Sequence, residues 1–316
     1  MIIPKEVYLT IVAASVRYAN TRIPKDDWLE VSGIFTGRNE GDDVLITKAY
    51  PIMHQELDRD AVIDQYKWNN EDYESLYIID EQAFSRDPPE FVVGWWHSHP
   101  GFKVMMSHID IQTTLSYQQN NPLAISLVFN PIRLLRQIEV AEKKGDPDKQ
   151  LKNDPGFKIF RLDDVGRGVE AAYHTVDYKI EGYESMEQLI NTTQKFIIDV
   201  ANFFPREKVP KTYEKFIDDR INQFNALILG TEEYLTTLTH RGEKTRIPEV
   251  LENQNQEIRK FVADTSVKIE NIKEFADYLE YKEKEAIVPQ IESILYKWDE
   301  TVSGLDKRLK QLSKKF

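Results

Sequence analysis

The sequence contains no cysteine among its 316 residues. Disulfide bonds, thiolate metal sites and cysteine nucleophiles are therefore excluded, and this composition suits a reducing compartment, so we expect a cytoplasmic protein. No apolar run approaches the ~18 residues needed to cross a bilayer. The N-terminal segment lacks a basic n-region and carries Lys5 and Glu6, so we expect neither a signal peptide nor a membrane partner.

Basic charge is also scarce. Lys and Arg number 41 against 53 Asp and Glu, which gives a formal net charge of -12. A nucleic-acid-binding protein needs a basic patch or stripe on its surface. The sequence offers only a short basic tail over 305–316, so we expect no nucleic-acid partner.

The first half of the chain alternates between strand-like and helix-like segments. Segments typical of strands are 29–37, 43–52, 90–96, 124–131, 157–164 and 170–181, and segments typical of helices are 7–20, 72–84 and 109–120. This mixture predicts an α/β protein with a mixed β-sheet flanked by helices. The stretch 136–156 is charged and rich in turn residues, which predicts a mobile insertion loop.

From about residue 183 the strand signals stop and helical periodicity takes over. Apolar residues from Ile258 to Leu279 follow a spacing of four and three, and those from Ile291 to Leu312 nearly continue it. Such spacing predicts an all-α C-terminal bundle or hairpin with a coiled-coil-like seam. We therefore expect a first domain over 1–182 and a helical docking or oligomerisation domain over 183–316.

Three of the six histidines fall between positions 97 and 108. His97 and His99 are two residues apart at the end of a predicted strand, so both imidazoles point to the same side. Ser107 and Asp110 have the spacing of a helix-capping box, which would aim Asp110 back at the strand end. Two histidines and one aspartate suit a tetrahedral Zn²⁺ site with a fourth position for water. Taken alone, Ser107 and Asp110 could equally be only a cap.

The stretch GWWHSHPGFKVMMSHID, residues 94–110, resembles the signature of the JAMM (MPN+) metalloproteases. Its residue pattern is most similar to that of the proteasome-lid deubiquitinase subfamily. The segments LEVSGIFTG and LVFNP resemble two further strands of that subfamily. The similarity covers roughly residues 2–181. It implies an MPN, cytidine-deaminase-like fold. Trp96 departs from the pattern, because the relatives commonly have tyrosine there.

The resemblance also implies a role for individual residues. His97, His99 and Asp110 match the ligands of one Zn²⁺ per chain, Glu30 matches the catalytic glutamate, and Ser107 matches the serine that helps to hold the tetrahedral intermediate. The chemistry agrees, because a carboxylate that does not bind the metal must accept the proton of the attacking water. Ser107 would donate a hydrogen bond to the carbonyl oxygen on which charge develops.

The implied activity is that of a zinc metallo-isopeptidase that removes ubiquitin or a ubiquitin-like modifier after its Gly-Gly tail, at a proteasome. Trp68, Tyr73 and Phe102 are candidates for contacting that tail, with Tyr66 a further aromatic residue of the first insertion. The C-terminal helices would bind proteasome subunits or a second copy of the chain. Two alternatives stay open: a peptidase that processes precursors of a ubiquitin-like or sulfur-carrier protein, and a non-catalytic scaffold subunit.

Overall fold

A computed structural model describes residues 1–56, 68–134, 137–141, 149–153, 155–203 and 209–316. The contacts divide the chain into two compact units. The first unit is Met1–Arg206 together with Asp277–Glu283, and the second is Glu207–Ala276 together with Lys284–Phe316. The domain boundary expected between 182 and 183 stays a prediction. The first compact unit extends beyond it, because its contacts include helix 186–203.

The first unit is built on a mixed sheet of six strands. In chain order the strands of the described residues are β1 (Ile2–Ile3), β2 (Leu29–Glu40), β3 (Asp43–Glu56), β4 (Phe91–Ser98), β5 (Ile125–Phe129), β6 (Gln137–Ala141), β7 (Lys149–Asn153), β8 (Phe157–Leu162), β9 (Tyr173–Thr175) and β10 (Lys179–Ile180). The order in the large sheet is β3-β2-β4-β5-β8-β9. Only β4 and β5 pair in parallel there, and β1 pairs in parallel with β10. The predicted mixed sheet is confirmed.

Helices flank this sheet. They are α1 (Lys5–Tyr18), α2 (Asn70–Phe84), α3 (His108–Gln118), α4 (Pro131–Leu134) and α5 (Met186–Phe203). Helix α1 packs on β2 and β3, α5 packs on α1, and α3 contacts β4, β5 and β8. The apolar cluster of Ile34, Ile52 and Ile79 joins the sheet to α2.

Close packing of β2 on its neighbours explains one glycine of LEVSGIFTG. A Cβ on Gly33 would lie 2.0 Å from the carbonyl oxygen of Tyr50 and 2.7 Å from the indole of Trp96. Trp96 is fully buried, so only glycine leaves space for this large ring beside β2.

The stretch 136–156 is not only a loop. Residues 137–141 and 149–153 pair as the antiparallel strands β6 and β7. The charged composition and the turn residues did not indicate this pairing, because strand pairing through backbone hydrogen bonds does not require a strict alternation of apolar residues. The expected mobility of this stretch stays a prediction.

The second unit is helical, as predicted. Its elements are α6 (Val209–His240), α7 (Ile247–Ala276), most of α8 (Tyr281–Ser303) and α9 (Leu305–Lys315). Helices α6 and α7 pack together, and Trp298 of α8 contacts the rings of Phe224 and Phe261. Ile258, Thr265 and Ile272 of the predicted seam are buried. None of the helices in the described part of the chain is both long and apolar enough to cross a membrane.

Candidate functional site

His97 and His99 emerge where β4 ends. Strand β4 closes at Ser98, and the N–H of His99 still donates to the carbonyl oxygen of Phe129, at 2.7 Å, so the extended pairing with β5 continues for one more residue. Alternate residues of an extended chain face the same side. The two imidazoles therefore converge, with 3.0 Å between their Nε2 atoms. Both side chains are buried.

Helix α3 brings Asp110 to the same point. Ser107 is its N-cap: the Ser107 N–H donates to Asp110 Oδ2 at 2.6 Å, and the Asp110 N–H donates to Ser107 Oγ at 3.2 Å. This reciprocal capping box fixes the buried carboxylate in the first turn. Asp110 Oδ1 lies 3.0 Å from His97 Nε2, and Oδ2 lies 3.5 Å from His99 Nε2.

These three residues fit a Zn²⁺ ion. One ligand atom from each of His97, His99 and Asp110 lies within 4.8 Å of the others. Three nitrogen and oxygen donors with a fourth position left for water are the donor set of a catalytic zinc site. The Nδ1–H of His99 donates to the carbonyl oxygen of Lys103 at 3.0 Å. That hydrogen bond selects the tautomer whose Nε2 lone pair faces the candidate metal position.

The ligand rings are held in place by aromatic neighbours. The indole of Trp95 stacks on His97 with ring centroids 4.4 Å apart and planes within 8°. The Trp95 Nε1–H donates to Thr114 Oγ1 of α3, at 3.1 Å. The indole therefore links the strand that carries the histidines to the helix that carries Asp110.

Charge in the cluster is strongly coupled. Burial alone would lower the pKa of His99, but the hydrogen bond and charge of Asp110, with the charge of Glu30, raise that pKa to about 9. Burial would raise the pKa of Asp110, yet the charges and hydrogen bonds of His97 and His99 hold it well below its usual range. The cluster thus concentrates negative potential where a cation would bind.

Glu30 lies beside the histidines. It is 5% exposed on β2, where Ser32 pairs with His97 of β4. Extending this antiparallel register by two residues places Glu30 opposite His99 and on the same face of the sheet. The influence of Glu30 on the pKa of His99 agrees with this placement. The carboxylate is therefore near the candidate metal position without belonging to the three-ligand group.

Ser107 caps α3 and still has a hydrogen-bond donor to offer. Its hydroxyl oxygen accepts from the Asp110 N–H, which leaves the hydroxyl hydrogen available to donate to another group. The cap is thus real, and it does not exclude a contact with substrate. His108, the next residue, is exposed and lies outside the buried ligand group.

The three aromatic candidates differ in their surroundings. Phe102 is 57% exposed, and its ring centroid lies 6.4 Å from that of His99. Trp68 is half-buried against the cluster of Ile34, and its ring contacts that of Tyr73, which is 59% exposed. Phe102 is therefore the candidate next to the metal position, whereas Trp68 also serves the core. Tyr66 lies outside the described residues.

Sequence reasoning missed the supporting contacts. The Val31 N–H donates to Ser98 Oγ at 3.0 Å, which ties the strand of Glu30 to the strand of the ligands. Ser98 lies between the two histidines of the motif, so its position in the sequence was a usable signal. Lys103 acts through its backbone carbonyl, for which a sequence gives no signal.

Comparisons with known proteins agree with this geometry. The family described as "JAB1/Mov34/MPN/PAD-1 ubiquitin protease" matches residues 1–123. The chain is 23% identical to COP9 signalosome complex subunit 5 of Saccharomyces cerevisiae over 235 residues, which are 69% of this chain and 53% of that protein. It is 35% identical to the Oryza sativa subsp. japonica subunit over 148 residues, 44% of this chain and 39% of that protein.

A further relative is the 26S proteasome regulatory subunit rpn11 of Schizosaccharomyces pombe. The identity there is 48% over 48 residues, which are 15% of this chain and 16% of that protein. The chain thus spans about half or less of the length of these curated relatives. The matched family, these relatives and the histidine–aspartate group all point the same way: the N-terminal part of the chain is a JAB/MPN domain of the JAMM family.

Proposed function

We propose that this protein is a zinc-dependent isopeptidase that cleaves after the Gly-Gly tail of ubiquitin or a ubiquitin-like modifier. The observation that carries the proposal is the buried group of His97, His99 and Asp110, with the buried carboxylate of Glu30 beside it. Burying charged and polar side chains together costs stability unless they are paired or bind a metal. Such a group is therefore expected in a metalloenzyme rather than in a non-catalytic scaffold.

The residues divide the chemistry among them. A bound Zn²⁺ would polarise the scissile carbonyl and make a water molecule acidic enough to attack it at neutral pH. Glu30 accepts the proton of that water and passes it to the leaving amine, as a general base and then a general acid. The Ser107 hydroxyl donates to the carbonyl oxygen as negative charge develops there.

The surroundings of the site and the relatives support the proposed substrate. Phe102 presents an exposed ring beside His99, and an extended Gly-Gly tail carries no side chain that would clash at such a rim. Relatives named as subunits of the COP9 signalosome and of the proteasome support a conjugated modifier as substrate. Proteasome subunits, or a second copy of the chain bound through the C-terminal helices, are the partners we propose. A cytoplasmic location completes the proposal.

The test compares two histidine variants. Purified protein loaded with Zn²⁺ is incubated with a ubiquitin isopeptide conjugate and with linear modifier fusions, and the products are weighed by mass spectrometry. His97→Ala should lose bound zinc and cleavage together, because only two protein ligands remain. His108→Ala, an exposed neighbour, should keep both.

The outcomes separate the possible functions. Cleavage of the isopeptide conjugate after the second glycine supports the proposal. Cleavage restricted to linear fusions would favour the precursor-processing peptidase. Zinc binding without cleavage of either substrate would favour the scaffold.

A further inference from the structure

A short segment from the C-terminal half of the sequence belongs to the first unit. Residues Asp277–Glu283, here called the strap, connect α7 to the body of α8 and are counted with Met1–Arg206 by their contacts. Glu280 of the strap is 8% exposed, and its Oε1 lies 2.6 Å from His54 Nδ1 on β3. The His54 ring stacks on Tyr18 of α1, with centroids 4.3 Å apart. The strap thus contacts β3 through His54, and the His54 ring in turn packs on α1.

A second anchor joins the strap to α1. Arg17 is 2% exposed, and its guanidinium donates to both carboxylate oxygens of Glu283, at 2.5 Å and 2.9 Å. A bidentate pair of this kind fixes orientation as well as distance. Removing the carboxylate would leave a buried positive charge without its main partner, which is strongly unfavourable.

Further contacts lie on α2 and its apolar cluster. Lys282 Nζ donates to Asp72 Oδ1 at 2.7 Å, and Asp72 is 1% exposed in the first turn of α2. Tyr281 packs against the cluster that contains Ile34 and Ile52, and its hydroxyl accepts from Gln82 Nε2 at 3.3 Å. The strap therefore contacts α1, β3 and α2 within seven residues.

The strand it contacts is the edge strand next to Glu30. In the large sheet β3 has β2 as its only neighbour, and its other edge has no strand beside it among the described residues. Along this pair Glu30 faces Gln55, and Val31 faces His54. The strand partner of the catalytic candidate is thus adjacent in sequence to the residue that Glu280 binds.

We propose that the strap positions Glu30 by clamping the end of β3 through the Glu280–His54 contact. Without this contact, the backbone pairs at the end of the edge strand open most readily, because local opening costs the least free energy at the ends of an element. The pairs at that end are Leu29 with Glu56 and Glu30 with Gln55. Opening them displaces the Glu30 carboxylate from the attacking water while the metal ligands on β4 and α3 stay in place. The inference rests on the proposed function and adds a positioning role for Glu280 and His54.

The test is Glu280→Ala in the full chain, with the exposed Glu285→Ala as matched control. Glu280→Ala should keep its bound zinc, lower kcat about tenfold or more and change KM little, because misplacing a catalytic group by about 1 Å costs up to ~100-fold. Amide hydrogen exchange over residues 29–31 and 53–56 should speed up. Glu280→Gln, whose side-chain oxygen still accepts from His54, should recover most of the lost kcat.

Several results would overturn the inference. Unchanged kcat and exchange in Glu280→Ala would do so, as would parallel losses of zinc, kcat and melting temperature, which would indicate general destabilisation. If Glu280→Ala does not yield folded protein, His54→Phe carries the same measurements, because it keeps a ring against Tyr18 and removes the nitrogen that Glu280 contacts. A wild-type protein that cleaves nothing refutes the proposed function, whereas the exchange data still decide whether the strap clamps β3.

Discussion

Glu30 is a buried carboxylate on a strand, beside a group of metal ligands to which it does not belong. A buried carboxylate adds little to the stability of the fold. Its chemical role is therefore best tested by a substitution that keeps the size of the side chain. Glu30→Gln should keep about one zinc per chain, because the three ligands are untouched. Cleavage should fall by about 100-fold or more, the range that general-base catalysis contributes. Zinc content and turnover measured on the same sample check this, and near-normal turnover would assign the base to another residue.

The capping of α3 by Ser107 can be measured separately from its proposed hydrogen bond to the substrate carbonyl. Ser107→Ala removes the acceptor for the Asp110 N–H and should cost about 1 kcal/mol of stability. If the hydroxyl also stabilises the oxyanion, kcat should fall by a further ~100-fold. Ser185→Ala is the matched control, because Ser185 Oγ accepts from the Gln188 N–H at the start of α5, at 3.1 Å.

Denaturant unfolding and turnover on both variants give the answer. Similar stability losses with a kcat loss only in Ser107→Ala are expected. Equal kcat in the two variants would leave Ser107 as a cap alone.

At this scale the structure brings together the three residues that the sequence proposed as metal ligands, and their role as ligands stays a prediction. The spacing of His97, His99 and Asp110 was sufficient because a strand end and a capped helix start place side chains in a regular way. The stacking of Trp95 and the carbonyl of Lys103 could not be predicted, since they depend on how separate segments pack.

The turn between the ligand strand and Phe102 shows how one element positions the site. The Phe102 N–H donates to the His99 carbonyl at 3.2 Å, and Gly101 has φ +82° after Pro100. Proline followed by glycine at positive φ has the features of a type II turn. A Cβ on Gly101 would also lie 3.1 Å from the ring of Trp28. Only glycine suits this position without strain.

Gly101→Ala should therefore destabilise the protein by about 1 kcal/mol or more and lower cleavage, because the turn carries both His99 and Phe102. Gly230→Ala is the opposite case, since Gly230 lies inside α6 and a Cβ there meets nothing within 4 Å. That change should stabilise the protein by about 0.5–1 kcal/mol. Thermal melts of the two variants should shift in opposite directions, and a melting temperature unchanged by Gly101→Ala would contradict the strain argument.

Element boundaries were less predictable than element types. The predicted apolar seam runs to Leu279, but helix α7 ends at Ala276. Helix α8 begins at Tyr281, eight residues before Pro289. Periodicity continued through this junction because Leu279 is itself buried, although in the strap rather than in a helix. The apolar spacing shows which residues are buried and does not show what buries them.

On the scale of the whole molecule, the change in secondary structure and the division into compact units fall at different residues. Composition changes at about residue 183, where strand signals stop. However, α5 packs on α1, and Gln194 Nε2 donates to the Leu134 carbonyl at 3.1 Å. A change of secondary-structure type therefore need not mark a domain boundary, because a helix can complete the core of the sheet that precedes it.

The last prediction compares a chain ending at residue 182 with one ending at residue 206. The shorter chain loses the buried side chains of Leu189, Ile190 and Ile197. At about 1.5–3 kcal/mol for each buried side chain, this removes roughly 5–9 kcal/mol, which is comparable to the net stability of about 5–15 kcal/mol of a typical domain.

We expect the chain ending at 182 to melt at much lower temperature or to aggregate. The chain ending at 206 should fold and bind zinc, yet turn over slowly because it lacks the strap. Circular dichroism melts, zinc content and cleavage of a modifier fusion check these outcomes. A chain ending at 182 that is folded, zinc-loaded and as active as the full protein would establish 182 as the domain boundary and would also rule out a role for the strap in catalysis.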